Sequence, residues 1–111
     1  MKEKFITIEN ETKIRQIKEE DILSVSVDSK IVSFELENGE TISKTVTLIN
    51  ILEDFDNFIQ ITKSSAVNQN KIYEIMKKER VVILTNKKEY HVSRRNMSKI
   101  RSGRQNDRLG T

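Results

Sequence analysis

Between Ile22 and Val27 the chain reads I-L-S-V-S-V, with Leu23, Val25 and Val27 alternating with Ser24 and Ser26. A period of two places the apolar residues on one face of extended backbone, so the stretch predicts a half-buried strand. Ile31 to Leu36 alternates again, with Val32, Phe34 and Leu36 on one face. Asn38-Gly39 follows, a pair that predicts a two-residue type I′ hairpin because both central positions of that turn need φ > 0. Thr41 to Val46 is then the return strand. Two shorter β-branched runs, Phe5–Ile8 and Lys13–Ile17, predict strands ahead of it.

The period changes after Val46. Leu48, Ile51, Leu52 and Phe55 fall at i, i+3, i+4 and i+7, the apolar stripe of a short helix. Thr47 is its expected N-cap, and Val46 with Ile51 has the spacing of a hydrophobic staple. Strands resume at Phe58–Ile61, Ala66–Val67, Lys71–Met76, Val81–Leu84 and Glu89–Val92, with turns at Lys77–Arg80 and Thr85–Lys88. Phe58 and Tyr73 are assigned to the core, and Asn68 to a turn bonded to backbone. Ser93–Ile100 predicts a closing helix with Met97 and Ile100 facing inward. The tail, 102–111, is polar and aperiodic and is expected to be disordered. The pattern gives one domain over 1–101.

Composition narrows the chemistry. The chain has 111 residues, 35% hydrophobic and 33% charged, so the core must be modest and the surface heavily charged. There is no cysteine, which excludes disulfides, thiolate catalysis and Cys-ligated zinc. One histidine, His91, allows no His-pair metal site, and three scattered glycines form no phosphate loop. Ser64 or Ser93 with His91 makes no recognisable nucleophile arrangement, so an enzyme is not expected, nor any cofactor or metal. The N-terminus lacks the apolar stretch of a signal peptide, and no apolar run approaches the ~18 residues of a membrane span. The expectation is a cytoplasmic protein with no membrane insertion. An aromatic content of 5% is too low for a platform on which successive bases stack.

The formal net charge of +3 hides an asymmetry. Residues 1–57 hold 7 Lys/Arg against 13 Asp/Glu, a balance of −6; residues 58–111 hold 13 against 4, a balance of +9. A compact domain built this way is expected to present a basic face, and such a face attracts polyanions, nucleic acid first.

Residues 58–100 carry a series of motifs in order: Phe58 at a strand start, Lys63-Ser64, Val67-Asn68, Ile72 in a strand, and Ser93-Arg94-Arg95 ahead of a short helix. Upstream, Glu20-Asp21-Ile22 opens a strand and Thr47-Leu48 opens a helix. The series resembles the LytTR family of bacterial DNA-binding domains over about residues 3–101. The resemblance implies a mainly β fold, an elongated stack of antiparallel sheets with one or two short helices. It implies a transcription regulator that reads successive major grooves of double-stranded DNA with loops, often at paired direct repeats, with a homodimer on DNA among its expected states. Many members follow a receiver domain; here the first strand begins beside Met1, so the reading expects a stand-alone domain.

Carried onto this sequence, the resemblance implies DNA contacts by Lys63, Ser64, Arg94 and Arg95. A further contact, Lys30, lies on the loop Val27–Lys30, which is short for the family. Thr62 stands where many members carry histidine. The residues support this independently. Ser93 as N-cap puts Arg94 and Arg95 in a first helical turn, where cations oppose the helix dipole unless an anion meets them. Arginine also pairs bidentately with guanine in the major groove. The alternative from another class is a protein-interaction module that modulates a full-length homologous regulator, its protein partner, without binding DNA itself.

Overall fold

The computed structural model describes residues 4–9 and 11–100. Ten strands are found there: β1 (Phe5–Glu9), β2 (Ile14–Lys18), β3 (Ile22–Asp28), β4 (Ile31–Leu36), β5 (Thr41–Thr45), β6 (Phe58–Thr62), β7 (Ser65–Asn68), β8 (Ile72–Met76), β9 (Val81–Leu84) and β10 (Glu89–His91). Helix α1 (Leu48–Asp54) joins β5 to β6, and α2 covers residues 94–100. The expected tail, 102–111, lies outside the described residues. No helix among the described residues is long and apolar enough to cross a membrane.

The strands form three antiparallel sheets. A central sheet has the order β5-β4-β3-β7-β6, a second has β10-β9-β8, and β1 pairs with β2. The molecule measures 46 × 33 × 25 Å, the elongated stack expected from sequence.

The central sheet is packed on both faces, and a bulge in β3 makes this possible. Pairing with β4 slips between Ile22 and Ser24. An extra residue in one strand turns neighbouring side chains to opposite faces. Ile22 and Val25 therefore join a cluster with Phe34, Ala66, α1 residues Leu48 and Ile51, and Ile6 and Ile17 of the β1–β2 hairpin. Leu23 enters a second cluster with Ile61, Val67, Val82, Leu84, Val92, Met97 and Ile100. The alternation in sequence had put Leu23 on the face of Val25; the bulge separates them. Met97 and Ile100 face inward as expected. Thr47 caps α1 by accepting from the Asn50 amide at 3.2 Å.

Two expectations fail for identifiable reasons. At Asn38-Gly39 only Gly39 has positive φ, +93°. The Gly39 amide donates to the Leu36 carbonyl and the Leu36 amide to the Glu40 carbonyl, which closes a three-residue loop rather than a type I′ turn. The Asn38 side chain accepts from the Glu40 amide at 2.8 Å, the local bond that holds this wider loop. The β9–β10 loop uses the same chemistry, with Asn86 for Asn38 and Lys87 (φ +70°) for Gly39. Tyr73, expected in the core, is 58% exposed. The β8–β9 register shifts between Ile72 and Glu74, and Tyr73 lies at that irregularity. The Lys87 ammonium sits 3.2 Å from its ring centroid. Phe58 is buried as expected.

Glu35 of β4 joins the central sheet to the β8–β10 sheet. Its carboxylate accepts from Ser24 Oγ at 2.9 Å, Lys88 Nζ at 2.6 Å and the Tyr90 hydroxyl at 2.5 Å. Partial burial alone would push this carboxyl up. The bonds from Lys88, Tyr90 and Ser24 together outweigh burial and hold it below its usual range. A carboxyl lowered in the folded state stabilises fully above its ordinary value of 4.5. That stabilisation is lost as pH falls through the lowered value. Glu35→Gln should therefore lower the urea midpoint at neutral pH, by about 1–3 kcal/mol of stability, and flatten its decline below pH ~4.5. An acid limb as steep as that of the wild type would show that Glu35 does not carry it.

Candidate nucleic-acid interface

The β6–β7 turn presents Lys63 and Ser64, both exposed. Thr62 shapes it: its hydroxyl lies 2.6 Å from Ser65 Oγ and accepts from the Ser64 amide at 3.2 Å. A β-hydroxyl that bonds the backbone two residues on stabilises a tight turn. Thr62, noted in sequence only for replacing a family histidine, thus braces the turn that carries Lys63. Asn68, at the other end of β7, is 1% exposed. Its amide donates to the carbonyls of Glu19 and Ile22, and its oxygen accepts from the Asn70 amide. It is a backbone-bonding residue, as the sequence implied.

The entry to α2 carries Arg94 and Arg95, both exposed. Ser93 caps the helix: its hydroxyl accepts from the Asn96 amide at 3.3 Å and from Asn96 Nδ2 at 2.9 Å. Burial of Val92 on one side and of Asn96, Met97 and Ile100 on the other fixes this entry against the second core.

Two backbone hydrogen bonds bring these segments to one end of the molecule. The Val27 amide donates to the Ser64 carbonyl at 2.8 Å, setting the β6–β7 turn beside the β3–β4 turn of Ser29 and Lys30. The Ser93 amide donates to the Ile61 carbonyl at 2.8 Å, setting the α2 entry beside β6. Neighbouring strands lie ~4.8 Å apart, so the two turns stand roughly 10 Å apart and the α2 entry several ångströms further along. The Ser93–Ile61 bond, with two residues on either side, keeps the Cα atoms of Lys63 and Arg95 within about 20 Å. Lys30 is exposed on a two-residue turn in which Ser29 has φ +61°. All five residues singled out in sequence therefore lie along one edge.

The β8–β9 turn extends the row and was missed in sequence as part of it. The Val92 amide donates to the Arg80 carbonyl at 2.8 Å, which places Lys77, Lys78 and Arg80 beside the α2 entry. The three cations were visible in a predicted turn. Their neighbour was not, because it is set by pairing across the chain.

Charge pairing divides the ends of the molecule. At the far end Lys71 binds Glu37 at 2.7 Å, Lys88 binds Glu35 and Lys87 covers Tyr73. Along the row, Lys30, Lys63, Arg94, Arg95, Lys77, Lys78 and Arg80 make no ion pair among the described residues. The sequence segments of this row hold two carboxylates, Asp28 and Glu79. A concentration of unpaired cations along one edge can hold a polyanion.

The family model for the LytTr DNA-binding domain matches residues 12–103. The chain belongs to the LytTR family. A solved LytTr domain, of what is described as a methyl-accepting/DNA response regulator from Bacillus cereus, superposes with a TM-score of 0.73. It is 19% identical and covers 89% of this chain and 94% of that one. No curated protein matches. The LytTR fold expected from the motif series is thus present, with ten strands among the described residues.

The brace at Thr62 is testable apart from any ligand. Thr62→Val should lower stability by about 1 kcal/mol and accelerate hydrogen exchange at the Ser64 amide. Unchanged exchange there would mean that other contacts hold the turn.

Proposed function

We propose that this protein is a sequence-specific double-stranded DNA-binding regulator of transcription that lays the row of turns along one side of the duplex. The observation that carries the reading is the gathering at one end of cations that make no ion pair among the described residues, while Lys71 and Lys88 at the opposite end are paired with carboxylates. Membership of the LytTR family supports it. Arg95 reads a base edge in the major groove, where a guanidinium meets guanine O6 and N7. Arg94 and Ser64 hold the backbone beside it, and Lys63 supplies a charge from the braced turn. Lys30, on the short β3–β4 turn, reaches the duplex at the other end of the row. Successive major grooves on one side of the duplex lie ~34 Å apart, and long side chains at the ends of the row extend its reach toward them. Paired direct repeats would then seat two copies on the same side of the DNA, as a homodimer formed on the site.

In-vitro selection of bound duplexes should recover a consensus in spaced direct repeats. On that site Arg95→Ala should weaken binding by about 1–3 kcal/mol and relax preference at one position. Lys63→Ala should make the slope of log affinity against log salt shallower by about one, as loss of a phosphate contact does. Wild-type affinity for Arg95→Ala would remove that assignment. Purified protein that shifts no duplex but co-purifies with a larger regulator would replace the reading by that of an interaction module.

A further inference from the structure

The central sheet ends in β6 on one side and β5 on the other. The β6 edge is closed by the α2 entry, where the Ser93 amide donates to the Ile61 carbonyl at 2.8 Å. The β5 edge is open. Its hydrogen-bond alternation is set by the loop before it, in which the Leu36 amide donates to the Glu40 carbonyl. From that pair onward Phe34 bonds Ile42 and Val32 bonds Lys44, so the backbone groups of Thr41, Ser43 and Thr45 point outward. They make no backbone hydrogen bond to another segment among the described residues, and their side chains are exposed.

Natural sheet edges are blunted by lysine, proline or a bulge. β5 has no proline, and it pairs with β4 without a register shift. Its one charged residue, Lys44, lies on the face of Ile42, and its ammonium is drawn onto the Thr7 carbonyl at 2.8 Å. An open groove follows the edge, between Thr7–Glu9 of β1 and Ser43–Thr45 of β5.

The order of residues along the edge selects the strand that fits it. Thr41-Ile42-Ser43-Lys44-Thr45 is symmetric about Ser43 in its outward positions. A second β5, antiparallel and centred there, sets Ser43 against Ser43 and Thr41 against Thr45. All the outward positions then fall in pairs that exchange both N–H···O bonds. Hydroxyl side chains directly across from each other add to such pairing. On the other face Ile42 meets the aliphatic stem of Lys44. A slip of one residue sets outward groups against inward ones, and a slip of two leaves a threonine without a partner in the strand. The contact is isologous, the same patch from each copy.

We propose that β5 is a self-pairing edge, on which a second copy of this chain docks its own β5 about a two-fold axis at Ser43, and that the pair joins two separate duplexes. Thr45 pairs with Ile31, at the end that carries the Lys30 turn, and Thr41 pairs with Glu35 toward the far end. Antiparallel docking sets one copy's Thr45 beside the second copy's Thr41, so the two rows of cations face opposite ways. Copies on direct repeats point the same way, so this contact is not theirs. The second copy's β4–β5 loop stands three strand spacings, ~14 Å, from the Lys30 turn and clear of the row. The joining of duplexes rests on the DNA-binding reading; the pairing of β5 with β5 does not. A strand of five residues buries less than a stable dimer interface, so free copies associate weakly.

The test compares wild-type chain with two variants. Ser43→Pro removes the outward amide at the centre of the pairing and spares the bonds to β4. Ser43→Lys sets two ammonium groups against each other across the two-fold axis, and it carries the test if proline disturbs the fold. In sedimentation equilibrium the wild-type mass should rise from monomer toward dimer between ~10 μM and ~1 mM, while the variants stay monomeric. A duplex of mixed sequence held on beads should capture a second, fluorescent duplex through wild-type protein. The folded variants should bind the first duplex with wild-type affinity and capture the second about tenfold less. A wild type that stays monomeric through ~1 mM, or variants that dimerise as it does, overturns the self-pairing edge. A wild type that dimerises through β5 and holds single duplexes but captures no second one overturns the joining alone. A wild type that dimerises through β5 and binds no duplex overturns the DNA reading and leaves the edge standing.

Discussion

One central sheet serves two hydrophobic clusters, and the rest of the structure depends on this sharing. A chain with 35% hydrophobic residues has too few to surround three sheets separately. The β3 bulge sends Ile22 and Val25 into one cluster and Leu23 into the other. The second cluster holds the β8–β10 sheet and α2 on the face formed with β6 and β7. Val92 is fully buried there, and the Ser93–Ile61 and Val92–Arg80 backbone bonds follow from that placement. Without the second cluster, the β8–β9 turn and the α2 entry would not join the two turns of the central sheet along one edge.

Electrostatics then differentiates the two ends. Glu35 and Glu37, from the acidic half of the sequence, reach lysines of the basic half at the far end. The opposite end holds few carboxylates, and its cations make no ion pair among the described residues. Exposed ion pairs contribute little to stability, so Lys71–Glu37 matters less as a stabiliser than as a neutralised site. Glu35 differs because it is partly buried and accepts three hydrogen bonds. Through Tyr90 it holds the strand that leads into the α2 entry, so it links the sheet that carries Lys63 to the segment that carries Arg95.

Much of this was legible in the sequence. The alternation in Ile31–Leu36, the stripe from Leu48 to Phe55 and the cap at Ser93 each correspond to an element close to where the pattern put it. The family was legible from the order of short motifs around Lys63-Ser64 and Ser93-Arg95. What escaped depended on pairing between distant segments. Leu23 changes faces because of a register shift, Tyr73 lies exposed at another, and Asn38-Gly39 sits in a loop one residue longer than the dipeptide favours. The Lys77–Arg80 turn read as an ordinary charged turn because its meaning lies in Val92, twelve positions beyond Arg80 in the chain.

Backbone amide shifts recorded by NMR as duplex is added would test the central claim directly. The account predicts changes confined to four segments: residues 28–31, 62–65, 77–80 and 93–96. The loops at residues 37–40, 69–71 and 85–88 should keep their free-protein shifts. Changes centred on those far-end loops, or duplex binding that leaves the four turns unperturbed, would contradict it.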